Sequence, residues 1–262
     1  MEMRVEGRKT FAATGGKPFD PAKPALIFIH GAGIDHTVWS LQTRYFAHHG
    51  RSVLAVDLPG HGRSESAPVG SIEAYSEWIG QLIEAAGVAR AALAGHSMGA
   101  LIALETAARM PEKVSALALL GVAARMPVHP DLLAAADAND PLAFELVTSW
   151  GYGKAAHLGG NKAPGVWMLG GGKRLLERSA PGVLANDFRA CDAYKTAADA
   201  ASRISCPSLF VLGAADRMTP PKAAAPLANA MEGARTIVLP NAGHMMMIEQ
   251  PDATLEALRS IL

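Results

Sequence analysis

The chain has 262 residues, half of them apolar, and its 24 basic and 24 acidic side chains cancel to a net charge of zero. This length suits one large α/β domain or a core with an inserted subdomain, and the 18% charged fraction excludes disorder as the main state. The balanced charge argues against a nucleic-acid partner, and Cys191 and Cys206 alone cannot build a disulfide scaffold. Residues 1–16 (MEMRVEGRKTFAATGG) lack the apolar run of a signal peptide, and no apolar stretch is long enough to cross a bilayer. The expectation is a cytoplasmic protein with no membrane association.

In chain order, 25–29 (ALIFI) reads as a buried strand ending at His30-Gly31, followed by a helix over about 39–48. A second strand at 52–56 ends at Asp57-Leu58-Pro59-Gly60. Ile72, Tyr75, Ile79, Leu82 and Ile83 recur at helical spacing within 71–86, and Gly87 supplies the stop. A strand at 90–94 leads into Gly95, a helix covers 98–110, and 114–120 (VSALALL) is another strand. Near-continuous apolar strands alternating with helices are what a parallel sheet covered on both faces requires. The fold class is therefore α/β. From about 123 to 203 the rhythm lapses, with five prolines, the run Gly170-Gly171-Gly172, and the aromatics Trp150 and Trp167. It resumes with a strand at 207–212, a helix near 220–231, a strand at 235–239 and a final helix at 251–262. The expected organisation is a core of 1–122 and 204–262 with a helical cap, 123–203, inserted after a strand and shaping an apolar pocket.

Gly95-His96-Ser97-Met98-Gly99 is a G-x-S-x-G sequence with a strand before it and a helix after it. A nucleophile on such a sharp turn needs small neighbours for the close crossing, and it sits where unpaired helix N–H groups favour developing negative charge. A serine hydroxyl also needs a base, and the base an orienting acid. Of nine histidines, His244 follows the strand at 235–239, and Asp216 follows the strand at 207–212. Reactive groups in an open parallel sheet gather at the carboxyl ends of its strands, and Ser97, Asp216, His244 is the nucleophile–acid–base order found on such sheets. His30-Gly31-Ala32-Gly33 follows the first strand, and the Ala32 N–H is expected to join the Met98 N–H as an oxyanion hole, with Gly33 as the fallback donor.

Together with Asp57-Leu58-Pro59-Gly60-His61-Gly62-Arg63-Ser64, these segments resemble the α/β-hydrolase fold superfamily over roughly residues 20–262, and in particular its small capped esterase-like members. The resemblance implies an eight-stranded, mostly parallel sheet with helices on both faces, an N-terminal hairpin around 3–14, a cap insertion, and a structural role for the 57–64 turn. Serine at 97 departs from relatives that cleave carbon–halogen bonds or epoxides through an aspartate. Ile34-Asp35-His36 after Gly33 differs from the glycine-proline-rich loop of carbon–carbon bond hydrolases, and Ala100 stands where several cofactor-free haloperoxidase-like relatives have glycine.

Other motifs carry less. Gly31-Ala32-Gly33 begins a dinucleotide-binding fingerprint, but His36 occupies its third glycine position. Gly170-Gly171-Gly172-Lys173 fails as a phosphate loop because Trp167 replaces its first glycine and Arg174 follows the lysine. Gly33, His36, Trp150 and Trp167 are taken as substrate-contact residues. His96 is expected beneath the Ser97 turn, His61 as a turn residue, and Met245-Met246-Met247 as core and pocket lining. Neither a metal nor an organic cofactor is expected. The partners are a small ester-like substrate, or a lactone or thioester, and water, with the chain a monomer or homodimer. The alternatives are carbon–carbon bond hydrolysis or perhydrolysis on the same three residues, or a ligand receptor that signals by cap movement.

Overall fold

The computed structural model describes residues 1–157, 159–160 and 167–262. A hairpin opens the chain, β1 (Glu2–Val5) and β2 (Arg8–Ala13), turning through Glu6 and Gly7, both at positive φ. Six further strands follow: β3 (Ala25–Ile29), β4 (Ser52–Val56), β5 (Ala91–His96), β6 (Val114–Leu120), β7 (Ser208–Gly213) and β8 (Arg235–Leu239). They form one sheet in the order β1-β2-β4-β3-β5-β6-β7-β8, antiparallel where β2 meets β1 and β4 and parallel elsewhere. The eight-stranded, mostly parallel sheet implied by the resemblance is the one observed. β5 runs two residues past the expected end, because Gly95 and His96 still pair with Leu119 and Leu120.

The apolar strands are continuous because each buries both faces. Ile27 and Ile29 pack into one core layer with Leu93, Leu119 and Phe210, while Leu26 and Phe28 pack into the other with Ala94, Leu120 and Val211. α1 (Ser40–His48) and α12 (Pro251–Arg259) cover the second face; α2 (Ile72–Ala85), α3 (Met98–Arg109) and α10 (Pro221–Ala230) cover the first. α2 starts where the Ser71 hydroxyl accepts the Ala74 N–H and buries Ile72, Tyr75, Ile79, Leu82 and Ile83 on its core stripe.

Between β6 and β7 lie α4 (Pro130–Asp137), α5 (Pro141–Gly151), α6 (Lys154–His157), α7 (Met168–Glu177), α8 (Val183–Ala193) and α9 (Ala197–Ala201). α4 packs on α5 and α8, and α5 on α7, as a separate helical layer. α9 instead packs on α3 and α10, with Ala197, Ala200 and Ala201 fully buried in the first core layer. The last part of the 123–203 segment therefore belongs to the sheet's own helix layer.

The chain leaves β3 for β4 on one side and then crosses to β5 on the other, so β3 and β5 are neighbours whose following loops diverge. This is the point where an open α/β sheet forms a crevice. The Ile29–Gly95 pair places His30-Gly31-Ala32-Gly33 beside Ser97 there.

Candidate active site

Ser97 joins β5 to α3 at φ 54° and ψ −118°, a left-handed conformation that serine rarely adopts. Its N–H donates to the Leu120 carbonyl at 2.9 Å, which holds the turn against the end of β6. The two motif glycines are sterically required: a Cβ on Gly95 would sit 2.1 Å from the Gly99 carbonyl oxygen, and one on Gly99 would sit 2.4 Å from that of His30. The turn thus projects the Ser97 side chain over the carboxyl end of the sheet.

Asp216 follows β7 and His244 follows β8, and the two loops are stitched by the Ala215 N–H donating to the Ala242 carbonyl at 2.8 Å. Both side chains are buried, and His244 Nδ1 lies 2.8 Å from Asp216 Oδ2. Thr219 completes the pair. Its hydroxyl donates to Asp216 Oδ2 at 2.8 Å and lies 3.1 Å from His244 Nδ1, while the Met218 and Thr219 N–H groups both donate to Asp216 Oδ1. Burial pushes the Asp216 carboxyl up, but the neighbouring imidazole and the Thr219 donors outweigh it and hold the group below the ordinary carboxylate range. An ionised Asp216 accepting from Nδ1–H leaves Nε2 as the free, basic nitrogen. The ring makes its hydrogen bonds at Nδ1 and none to Ser97; the two side chains meet by lining the same cavities.

His96 lies where expected, under the turn. Its Nε2–H donates to the His244 carbonyl at 2.9 Å, and burial together with the nearby His244 holds it well below the usual histidine range, hence neutral.

Among the described residues neither the Ala32 nor the Met98 N–H donates to a protein acceptor outside regular structure. The Gly33 N–H does: it donates to Asp187 Oδ2 on α8 at 2.9 Å. Gly33 therefore is no fallback donor and no substrate contact; at φ 65° it packs against α8, where a Cβ would meet Leu184 Cδ1 at 2.6 Å. The same Asp187 oxygen accepts His61 Nε2–H at 2.7 Å, and His61 Nδ1–H donates to the Pro59 carbonyl at 2.9 Å. With an acceptor at each nitrogen His61 is an imidazolium, so the expected turn residue is half of a buried ion pair. His30 beside it is neutral, driven down to about 4 by burial and by the His61 charge, with Nδ1–H donating to the Gly31 carbonyl and Nε2 accepting the Leu58 N–H.

Two cavities meet at Ala32, Ser97, Phe188, Met218 and His244. The narrower, about 50 Å³, is walled by Ile34, Val147, Tyr152, Leu175, Leu176 and Met245 and, among the described residues, carries no Asp, Glu, Lys or Arg. The wider, about 260 Å³, is walled by Val128, Leu132 and Trp150 and also presents His129 and Arg217. Trp150 thus borders the site. Trp167 does not: it is 72% exposed and lines neither cavity, because α7 begins at Met168 with that ring outside its packed face. His36 does not line them either. Its Nδ1 lies 2.7 Å from Asp57 Oδ1 and its ring packs on Phe11, on the far side of the 30–33 loop. Asp35, His36 and Asp57 bring possible metal-donor atoms within 4.8 Å of one another, but these atoms are already spent: Asp57 accepts from the His36 and Arg63 N–H groups, and Asp35 from Thr37.

Three positioning residues carry no sequence motif: Thr219, Asp187 and Glu249. The buried Glu249 carboxylate accepts N–H groups from Gly153 at 2.7 Å, Gly243 at 3.1 Å and Met245 at 3.2 Å, clamping the histidine loop to the inserted layer. Glu249→Gln replaces an acceptor with an NH₂ facing those donors. Its expected cost is about 1–3 kcal/mol in urea unfolding at pH 8; an unchanged midpoint would show the clamp to be idle.

The alpha/beta hydrolase family model matches residues 26–257. The chain belongs to the alpha/beta hydrolase family. The hydrolase is similar to a pimeloyl-[acyl-carrier protein] methyl ester esterase of Neisseria meningitidis serogroup A, with 30% identity over 90% of this chain and 76% of that one. Among solved structures it resembles the enol-lactonase from Burkholderia xenovorans LB400, at a TM-score of 0.88 and 26% identity over 99% of this chain and 98% of that one. A further match, 38% identical to a dihydrolipoyllysine-residue acetyltransferase component of an acetoin cleaving system from Pseudomonas putida, covers 34% of this chain and only 24% of that protein. Among the described residues no helix is long and apolar enough to cross a membrane.

Proposed function

We propose that this hydrolase cleaves a small or medium carboxylic ester, lactone or thioester by two-step acyl transfer through Ser97, His244 and Asp216. The observation that carries the reading is the buried 2.8 Å contact between Asp216 and His244 Nδ1, in a ring that lines the same two cavities as a serine held at positive φ. In the first step His244 Nε2 takes the Ser97 hydroxyl proton as Oγ bonds to the substrate carbonyl carbon. The developing oxyanion is received by the Ala32 and Met98 N–H groups, the latter at the start of α3 where the helix dipole adds to the field. Collapse breaks the bond to the leaving oxygen or sulfur, which collects the proton from His244. Water then repeats the sequence on the acyl-enzyme and restores the serine. Helices α4–α8 act as a cap that walls both cavities and keeps bulk water from the acyl-enzyme. The similarity to an esterase and an enol-lactonase, both acting on carbonyl–oxygen bonds by their names, supports this chemistry.

A fluorophosphonate probe followed by peptide mass mapping tests the nucleophile. One adduct is expected, on Ser97, and none in Ser97→Ala. An adduct on another serine, or no adduct with intact fold, overturns the assignment.

A further inference from the structure

The two cavities that meet at Ser97 differ in charge. Apart from their histidines, the narrow one is lined, among the described residues, only by uncharged side chains, and the wider one is bordered by the exposed Arg217 and by His129. No carboxylate lines either. Among the described residues Arg217 forms no ion pair, although its neighbour Asp216 is a carboxylate, because both Asp216 oxygens are taken by His244, Thr219 and the Met218 N–H. Those bonds also fix the 216–219 turn and so hold the Arg217 backbone at the cavity wall. His129 Nδ1 accepts the Asp131 N–H, which leaves its Nε2–H as a donor, and its ring packs edge-on against Trp150 at 5.8 Å. Leu132, Trp150 and Phe188 give the same cavity apolar wall.

Resting on the acyl-transfer reading above, we infer that the substrate is a carboxylate-bearing ester or lactone: a short apolar arm fills the narrow cavity, and an arm with an apolar spacer ending in a carboxylate enters the wider one and meets Arg217. A planar guanidinium with no internal partner matches a carboxylate in both charge and fork geometry. Among the described residues the narrow cavity offers a carboxylate no lysine or arginine.

The test compares kcat/KM within isosteric pairs that place the charge on each arm in turn: 4-carboxyphenyl butyrate against 4-carbamoylphenyl butyrate, and 4-nitrophenyl hydrogen glutarate against 4-nitrophenyl 4-carbamoylbutyrate. In one pair the carboxylate member is expected to be favoured by about fivefold or more, a ratio expected of a partly exposed charge-assisted pair. Arg217→Glu is expected to invert that ratio and to favour an aminomethyl group over its neutral counterpart on that same arm, as 4-(aminomethyl)phenyl butyrate or as the 4-nitrophenyl ester of 5-aminopentanoate. A gain of preference for the cation cannot arise from misfolding. Ratios near one in both pairs, or a carboxylate preference that survives Arg217→Glu, overturn the inference. Binding to Ser97→Ala, by calorimetry, of the amide analogue of the favoured carboxylate member (4-butyramidobenzoate or N-(4-nitrophenyl)glutaramate) gives a readout independent of turnover. Affinity that is lost in the Ser97→Ala, Arg217→Glu double variant upholds carboxylate recognition even where the acyl-transfer reading fails on the phosphonate test; equal affinity in the two variants rejects it.

Discussion

Ser97→Gly is expected to raise the melting temperature of this hydrolase while abolishing its turnover. The serine sits at φ 54° and ψ −118°, where a Cβ is strained and glycine is not. Strain of this kind costs about 1–3 kcal/mol, and in a domain of this size each kilocalorie is worth roughly 2–4 °C. The same replacement removes the oxygen proposed to attack the substrate, for which a loss of roughly 10⁴–10⁶-fold in kcat is expected. Ser97→Ala separates the two effects: it loses the oxygen but keeps the Cβ, so its activity falls equally and its melting temperature does not gain. Scanning calorimetry beside ester turnover decides the matter. A glycine variant that melts lower than wild type, or that retains turnover within tenfold, would refute the link between backbone strain and the placement of the nucleophile.

The second large effect is expected at Asp187, far from Ser97 in sequence. Its carboxylate is 0% exposed and holds both the His61 imidazolium and the Gly33 N–H. Asp187→Ala leaves a buried cation and a buried amide without their acceptor, at an expected cost of about 3–5 kcal/mol. Because the Gly33 peptide adjoins Ala32, the variant is also expected to lower kcat more than it raises KM, since the proposed oxyanion donor loses its fixed orientation. The pair carries a pH signature. Burial pulls His61 down, but the Asp187 charge and hydrogen bond outweigh it, so its folded pKa lies above the ordinary value of 6.5. The stabilisation is therefore complete below about 6.5 and is lost as pH rises through the folded pKa. Urea midpoints taken from pH 6 upward should fall in wild type along this limb and flatten in Asp187→Ala. Parallel pH slopes in the two proteins, or a destabilisation under 1 kcal/mol, would show that the tether carries little.

Much of the architecture is legible in the chain because its strands are buried on two sides. ALIFI and VSALALL read as strands only because alternate residues feed opposite core layers, Ile27 and Ile29 into one and Leu26 and Phe28 into the other. The positions of Ser97, Asp216 and His244 could likewise be argued from a simple geometric rule, since each follows a strand at the same end of the sheet. The supporting groups obey no such rule. Asp187 reaches Gly33 across 154 residues and His61 across 126, and Glu249 meets Gly153 across 96. Nothing local in α8 distinguishes Asp187 from an ordinary surface acid. The opposite error affected Trp167 and His36: aromatic content marked the inserted segment as apolar and nearness in sequence to the 30–33 loop marked His36, but neither signal carries direction, and Trp167 faces solvent while His36 turns toward Asp57.

One connection bears on how the inserted layer can move. The His244 N–H donates to the Gly151 carbonyl at the end of α5, while α8 grips the Ala32 loop through Asp187. The inserted helices are thus tethered to the His244 loop at one corner and to the 30–33 loop at another, so a rigid-body displacement of that layer breaks both bonds and disturbs both loops together.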